Sequence, residues 1–255
     1  MRAGPLLLAL VCVIVLGFAP DAFAEDSYLL ALTWLPTFCA TGSHADLPEC
    51  KLAANADAHP FALHGLWPDW DINGDGRRDA ADDFCLSAAD DRKAILAADG
   101  GAAKVGNWLG LPAVQLSAAS ETDLAAVMPG VASGLERHEW WKHGTCSGLP
   151  ANDYFATAVL LTRQVERTSL AQLIQGSAGK SVERKALLAA FEQDFGAGTA
   201  RALTLDCGKT EHGMALLELR IRLQRDRLAQ GLNPDTLAFP EKAPRGDCPA
   251  QIELP

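Results

Sequence analysis

The sequence predicts one α+β domain stabilised by disulfides. Strand-like segments lie near both ends of the chain, helical patterns lie between them, and cysteines are spread from position 39 to position 248. No internal repeat and no Pro/Ser-rich linker divides the sequence, which favours one domain over two. With 49% hydrophobic and 21% charged residues over 255 positions, the composition is that of a folded globular protein.

The N-terminal segment predicts an export signal rather than part of the fold. Arg2 supplies a positive charge, residues 6–19 form an apolar run, and residues 22–24, Ala-Phe-Ala, match a small-x-small cleavage pattern. We therefore expect a signal peptide over residues 1–24, a folded domain over residues 25–255, and a periplasmic or secreted protein. The apolar run is too short for a comfortable membrane span, so no membrane association is expected.

Hydropathy patterns place the main elements of the domain. Strand-like segments cover residues 28–35, 61–66 and 217–223. A helix with a loop is expected over the Ala-, Gly- and Asp-rich residues 88–106, and helical patterns cover residues 152–165 and 181–195. In the segment 217–223 every second residue is apolar and the others are charged, which predicts a half-buried strand with its leucines and isoleucine facing the core. Asn152 is a candidate N-cap of the second helix, and Ser181 precedes the third.

Cysteine usage agrees with export. Cys12 belongs to the predicted signal, and an even set of six remains: Cys39, Cys50, Cys85, Cys146, Cys207 and Cys248. Three disulfides are the simplest interpretation, and six cysteines leave fifteen pairings open. The sequence has no C-x-x-C pair, which argues against a zinc ribbon or a thioredoxin-like redox site.

Net charge limits the class of nucleic-acid partner. The chain carries 22 basic and 32 acidic side chains, a formal charge of −10. Extensive electrostatic binding of duplex DNA is therefore not expected, and we predict no stable DNA binding. Any nucleic-acid chemistry has to depend on a few local cations.

The segment 138–146, His-Glu-Trp-Trp-Lys-His-Gly-Thr-Cys, holds the strongest chemical pattern. On an α-helix the two histidines, the glutamate and the lysine share one arc of about 140°, and the tryptophans fall on the other side. The indoles would anchor the helix in the core and direct an acid, a cation and two imidazoles into one space. The alternative is a solvated amphipathic helix that contains histidines by chance.

Separate imidazoles with a carboxylate and an ammonium group indicate RNA transesterification. One imidazole accepts a proton from the nucleophile, another donates a proton to the leaving group, and the charged groups stabilise the phosphorane. RNA supplies its own nucleophile, the ribose 2′-hydroxyl, so no activated serine or cysteine is needed. Because free histidine titrates near 6.5 and the two imidazoles must hold opposite protonation states, we expect a mildly acidic optimum.

A zinc-dependent hydrolase is the first alternative. Residues 138–143 are similar to the zinc protease motif His-Glu-x-x-His, but that motif places its histidines four residues apart on one helix face. At a spacing of five, His138 and His143 would converge poorly on one ion. We therefore expect no catalytic metal.

Two motifs resemble the ribonuclease T2 family. Residues 64–68, His-Gly-Leu-Trp-Pro, resemble its first active-site segment, and residues 138–146 resemble its second, in the same order and about seventy residues apart. Residues 34–39, 127–130 and 135–137 resemble the bacterial periplasmic branch of the family. The resemblance implies a central, mainly antiparallel sheet flanked by helices.

The same resemblance implies the roles of the site residues. His143 would be the general base at the 2′-hydroxyl and His64 the general acid at the 5′-oxygen. Glu139 and Lys142 would support the phosphorane, and His138 would bind the phosphate. The implied enzyme is a metal-independent endoribonuclease, predicted to be a monomer, that cleaves single-stranded RNA to a 2′,3′-cyclic phosphate.

The resemblance extends to disulfides and to base recognition. It implies the pairs Cys85–Cys146 and Cys207–Cys248, which leave Cys39 with Cys50. Trp67 and Asp69 resemble the base site of the family, where Asp69 would accept a hydrogen bond from the exocyclic amine of adenine. Plain core packing is the alternative for Trp67.

The stretch Asp71–Asp82 departs from the family pattern. It fits the calcium-loop template at positions one, three, five, six and nine, with Asp at position twelve. A bound calcium ion would brace the base-recognition loop rather than join catalysis. Pro68 precludes a regular helix leading into the loop, and a Gly/Asp-rich surface turn is the alternative. A non-catalytic, calcium-dependent binding protein is therefore the second alternative to the enzyme.

Overall fold

The computed structural model describes residues 26–41, 44–53, 61–75, 77–78, 82–240 and 246–255, so the predicted signal peptide lies outside the described residues. The described residues form a six-stranded sheet. Its strands are β1 (Ser27–Trp34), β2 (Phe61–Asp69), β3 (Lys180–Glu183), β4 (Leu203–Thr210), β5 (Gly213–Gln224) and β6 (Gln251–Leu254). The predicted strands near both ends of the chain are therefore confirmed.

Strand pairing is antiparallel except at one position. The order is β2-β1-β5-β6-β3, with β4 also paired to β5, and only the contact of β5 with β6 is parallel. The predicted α+β fold with a mainly antiparallel sheet is confirmed.

Helices lie between the strands in sequence. They are α1 (Leu35–Ala40), α2 (Pro48–Ala53), α3 (Arg92–Ala102), α4 (Ala118–Val127), α5 (Leu135–Lys142), α6 (Ala151–Val165), α7 (Ser169–Gly176) and α8 (Arg184–Phe195). One face of the sheet joins α6, α7 and α8 in a single hydrophobic core. None of the described helices is long and apolar enough to span a lipid bilayer.

The two faces of the sheet differ in polarity because strand residues alternate in direction. On β5, Leu219, Ile221 and Leu223 are fully buried in the core, as predicted. Leu217 is only half-buried, and Leu216 is buried in its place. A β-bulge between β4 and β5 causes this difference, because Cys207 pairs with Leu216 and the alternation is interrupted at that point.

Two helix starts also differ from prediction. Pro150 precedes α6, and Asn152 lies inside the helix, where its side chain accepts a hydrogen bond from the Ser117 amide at 2.9 Å. Ser181 belongs to β3, and α8 starts at Arg184. In both cases the polar side chain has a partner outside the helix, which local sequence patterns do not reveal.

Three disulfides close the fold. The pairs are Cys39–Cys50, Cys85–Cys146 and Cys207–Cys248. These are the pairs that the family resemblance implies. Cys85–Cys146 attaches the segment before α3 to the end of α5, where the candidate site lies.

Candidate active site

Helix α5 carries the second motif and is held by its two tryptophans. Only Trp140 packs against the hydrophobic core and neither indole is fully buried, so the expectation that both lie in the core is wrong for Trp141. Trp140 packs against Tyr154 and Phe155 of α6, with ring centroids 5.9 and 6.5 Å away. The Trp141 indole donates a hydrogen bond to the Pro112 carbonyl at 2.8 Å. With the indoles fixed on these sides, the Glu139 side chain is directed inward and is only 1% exposed.

The helix ends one residue before His143. His143 is the C-cap residue with φ −115°, away from the helical value of about −63°. The next residue is Gly144, where a Cβ atom would lie 2.4 Å from the Trp140 ring. A side chain at position 144 would therefore collide with the indole that anchors α5.

A β-bulge in β2 positions His64. Ala31 of β1 pairs with Gly65 and Leu32 pairs with Leu63, so His64 is the extra residue of the bulge. Without the bulge, residues 64 and 67 would point to opposite faces of the sheet. With it, the His64 and Trp67 rings lie side by side, with centroids 5.1 Å apart.

Glu139 lies at the centre of the cluster. One of its carboxylate oxygens, Oε2, accepts a hydrogen bond from the Trp67 indole at 2.7 Å. The other, Oε1, is buried and has no hydrogen-bond partner among the described residues. It faces the Nε2 atoms of His64 and His138 at 3.8 and 3.9 Å. The two motifs, far apart in sequence, therefore meet at one carboxylate.

His143 completes the cluster. Its ring centroid is 5.5 Å from that of Trp67 and 6.1 Å from that of His138. The Trp67 ring is thus within contact range of both His64 and His143. This arrangement brings the two predicted proton-transfer residues to one site.

Asp83 lies next to both His143 and Lys142. Its carboxylate oxygens lie 3.3 Å from His143 Nδ1 and 3.9 Å from Lys142 Nζ. The neighbouring residue Phe84 has φ 59°, in the left-handed region that is rare for residues with a side chain. Its amide donates a hydrogen bond to the Lys142 carbonyl at 2.8 Å. This bond and the nearby disulfide hold Asp83 against the end of α5.

The His64 imidazole lies in a negative environment. Its Nδ1 atom is 2.6 Å from the Glu218 carboxylate of β5. Burial by itself lowers the pKa of His64, but the hydrogen bond to Glu218 and the charges of Glu139 and Glu218 outweigh burial and the opposing charge of Lys142. The pKa of His64 is therefore raised, which favours the protonated form that a general acid requires.

Known proteins with similar sequence or structure identify the family. The model of the ribonuclease T2 family matches residues 25–231. The chain belongs to the ribonuclease T2 family. Ribonuclease I of Escherichia coli is 28% identical over 231 residues, which cover 88% of this chain and 83% of the relative. Ribonuclease 1 of Arabidopsis thaliana is 24% identical over 262 residues, which cover 98% of each chain.

Solved structures of ribonucleases share the fold. A crystal structure of an RNase MC1 mutant in complex with 5′-UMP is 20% identical, with a TM-score of 0.54 over 91% of this chain and 99% of that one. The predicted T2-like fold is confirmed by this similarity. This T2-family chain is accordingly an endoribonuclease of the T2 type.

Several polar residues around the T2 motifs were missed by the sequence analysis. Asp99 of α3 lies 2.5 Å from His138 Nδ1, although its segment was assigned no chemical role. Glu218 was recognised only as part of the charged face of a strand, and Asp83 was assigned no role. The charged face of β5 was the one available signal, because a strand that alternates charged and apolar residues exposes a polar surface.

The predicted base-site residues are placed differently from each other. Trp67 lies inside the cluster and binds Glu139 through its indole N–H. Asp69 instead forms ion pairs with Arg222 and, at 3.5 Å, with Arg78. Its carboxylate is therefore shared between two guanidinium groups on the polar face of the sheet.

The geometry contradicts one argument against a metal. His138, Glu139 and His143 each place one potential ligand atom within 4.8 Å of the others. The two imidazoles therefore approach each other more closely than their spacing on an ideal helix predicts, and His143 is the C-cap residue, with φ −115°. Among the described residues, these three side chains form a group that could hold a metal ion.

Proposed function

We propose that this protein cleaves single-stranded RNA by intramolecular attack of the ribose 2′-hydroxyl, without a metal ion. The products are a 2′,3′-cyclic phosphate and a new 5′-hydroxyl end. The observation that supports this most directly is that the His64 and His143 rings both contact the Trp67 ring, whose indole N–H binds Glu139. Two imidazoles next to one carboxylate suit a reaction with one proton taken up and one released.

His143 is the proposed general base. Its Nδ1 atom faces the Asp83 carboxylate, which leaves Nε2 to accept the 2′-hydroxyl proton. As that proton is removed, the 2′-oxygen attacks phosphorus. The His143 imidazolium is then paired with Asp83, so that the charge it gains is compensated nearby.

His64 is the proposed general acid. Its Nε2 atom points into the cluster, while Nδ1 is held by Glu218. Nε2 donates its proton to the 5′-oxygen as the bond between phosphorus and that oxygen breaks. Lys142 supplies positive charge for the phosphorane oxygens, His138 binds the phosphate, and Glu139 orients the groups around it.

Base recognition is proposed at Trp67 and Asp69. The face of the Trp67 ring can stack on a base, while Asp69 would accept from an adenine amine. Arg78 and Arg222 bind the same carboxylate, so they compete with the base for its lone pairs.

A cavity of about 200 Å³ beside His64, lined by Phe38, Trp108 and other residues, has room for the nucleoside that leaves.

Activity on matched substrates tests the proposed function. We expect cleavage of a single-stranded oligoribonucleotide to a 2′,3′-cyclic phosphate end, no cleavage of the 2′-deoxy analogue, and unchanged rates after treatment with a strong chelator. The deoxy analogue lacks the nucleophile, and the proposed reaction needs no Lewis acid. Loss of activity on chelation, restored by zinc, would instead support the hydrolase alternative through His138, Glu139 and His143.

Structural calcium at Asp71–Asp82 is proposed separately. The Asp71 carboxylate accepts hydrogen bonds from the backbone amides of Gly74 and Asp75. The backbone amide of Asn73 donates a hydrogen bond to the Asp82 carboxylate. Gly76 and Asp79 of the template lie outside the described residues. We expect heat of binding when millimolar calcium is added to the chelated protein in a calorimeter, and a smaller effect in Asp71→Asn. No heat in the wild-type protein would remove the calcium proposal and leave the enzymatic one intact.

Export is proposed from the N-terminal sequence. Three disulfides agree with an oxidising compartment, since such bonds persist mainly in the periplasm and outside the cell. We propose a monomeric, periplasmic or secreted ribonuclease that is released by cleavage after Ala24.

A further inference from the structure

Each of the three imidazoles in the site faces a carboxylate through Nδ1. His64 faces Glu218 at 2.6 Å, His138 faces Asp99 at 2.5 Å, and His143 faces Asp83 at 3.3 Å. The carboxylates come from β5, from α3 and from the segment before Cys85, all outside the two motifs. When Nδ1 is occupied, Nε2 is the nitrogen left to exchange protons with substrate.

Glu218 reaches His64 across an intervening strand. In the sheet, Thr33 of β1 pairs with Glu218 of β5 on one side and with Ala62 of β2 on the other. Glu218 and His64 therefore belong to strands that are not neighbours. The bulge at His64 and the long Glu218 side chain together allow a hydrogen bond of 2.6 Å across β1.

Glu218 is itself held in place. The Arg220 guanidinium lies 3.6 Å from Glu218 Oε1, and Arg220 also binds Asp206 of β4. The Glu218 side chain is only 15% exposed. A carboxylate fixed by an arginine on one oxygen and by an imidazole on the other has little freedom to rotate.

We propose that Glu218 is a positioning residue for the general acid, accepting the Nδ1–H of His64 so that Nε2–H is directed at the leaving 5′-oxygen. The proposal rests on the proposed function. In the reaction the Nε2 proton moves to the 5′-oxygen as the phosphorus–oxygen bond breaks. Neutral His64 then keeps its proton on Nδ1, where it is hydrogen-bonded to Glu218. Nε2 is free to be protonated again.

Charged groups on several elements affect the His64 imidazole. Glu218 lies on β5 with Arg220 beside it, and Glu139 and Lys142 lie on α5. Glu49 and His44 line the adjoining cavity. The raised pKa of His64 depends on Glu218 both as hydrogen-bond acceptor and as charge. Removal of that charge is therefore expected to lower the pKa, with the other groups unchanged.

Glu218→Gln tests the proposal by kinetics. With a dinucleotide substrate we expect kcat to fall at least about tenfold, as part of the roughly 10²- to 10⁴-fold effect of proton transfer, with KM nearly unchanged. The alkaline limb of the kcat profile should move to lower pH, because His64 loses its proton more easily. With a uridine 3′-phosphodiester that carries a 4-nitrophenolate leaving group the defect should be much smaller, because that group departs without protonation.

A matched variant controls for loss of a strand carboxylate. Glu253→Gln changes a half-buried glutamate of β6 in the same sheet, and we expect wild-type kinetics with both substrates. A folded Glu218→Gln protein with the wild-type pH profile and equal defects on both substrates would overturn the proposal.

NMR of the wild-type protein tests the same geometry without turnover. We expect neutral His64 to carry its proton on Nδ1, and we expect its pKa to lie above the ordinary histidine value. A proton on Nε2 in the neutral form would contradict the positioning role even if Glu218→Gln failed to fold. Absence of RNA cleavage by wild-type protein would contradict the proposed function alone, since the tautomer and pKa of His64 are measured without substrate.

Discussion

Replacing His143 with alanine is expected to lower kcat for RNA cleavage by a factor of about 100 or more. His143 is the proposed acceptor of the 2′-hydroxyl proton, and no other imidazole occupies its position between Trp67 and Asp83 within the described residues. KM should change little, because the ring contributes mainly when charge develops in the transition state. Initial rates with a dinucleotide substrate across pH 4 to 8 measure the effect.

His212→Ala is the matched control for the His143 variant. His212 is exposed in the turn between β4 and β5, where its backbone amide binds Thr210. Its replacement should leave kcat unchanged. If a correctly folded His143→Ala protein turned over at close to the wild-type rate, the assignment of His143 as general base would have to be withdrawn.

Gly65→Ala is expected to disrupt the site, because Gly65 of β2 lies against Glu139 of α5. A Cβ atom at position 65 would lie 1.9 Å from Glu139 Oε2 and 2.4 Å from Trp67 Nε1. Both side chains are confined, since Glu139 is 1% exposed and bonded to Trp67. We expect a loss of about 1–3 kcal/mol in unfolding free energy from overpacking, and at least a hundredfold loss of kcat because the central carboxylate is displaced.

Two further variants separate crowding from a general effect of alanine. Gly100 lies in α3 with open space where a Cβ atom would be placed, so Gly100→Ala should stabilise the protein by about 0.5–1 kcal/mol without loss of activity. The double variant Gly65→Ala with Glu139→Ala should recover part of the stability, because only the Trp67 contact remains at position 65, but it should not recover activity. Urea unfolding gives the stabilities, and a stable, fully active Gly65→Ala protein would show that Glu139 does not occupy the position described.

The acidic net charge is compatible with an RNA substrate because the site supplies its own cations. The polar face of the sheet carries Arg220 and Arg222, but both are paired with acids, Asp206 and Asp69. Lys142 and the proposed general acid His64 are therefore the cationic groups closest to the proposed scissile phosphate. The formal charge of −10 acts over a longer range and is screened by salt.

The fold was predictable in outline from local patterns. Alternation in the segment 217–223 predicted β5, and a spacing of four predicted α8, because each pattern reports on one buried face. The boundaries were less predictable. Asn152 and Ser181 resemble helix caps in sequence, yet each has a partner in another element, so the local preference did not decide the helix start.

The residues of the candidate site were also predictable only in part from the sequence. His64, Glu139, Lys142 and His143 were found from two short motifs, because their residue types and spacing are chemically distinctive. Glu218, Asp99 and Asp83 were not found, because a single carboxylate in a strand, a helix or a loop has no local pattern that distinguishes it from solvated surface. Each acquires a chemical role only by its distance to an imidazole.

The amino-acid sequence by itself determined the chemical groups of the reaction, the sheet and helices that carry them, and the resemblance to the T2 family. Only the tertiary structure decided which nitrogen of each imidazole faces the site and which carboxylate holds the other. The physical reason is that side-chain period is a local property, whereas the bulge at His64 and the register of β1 with β5 are set by pairing between distant segments.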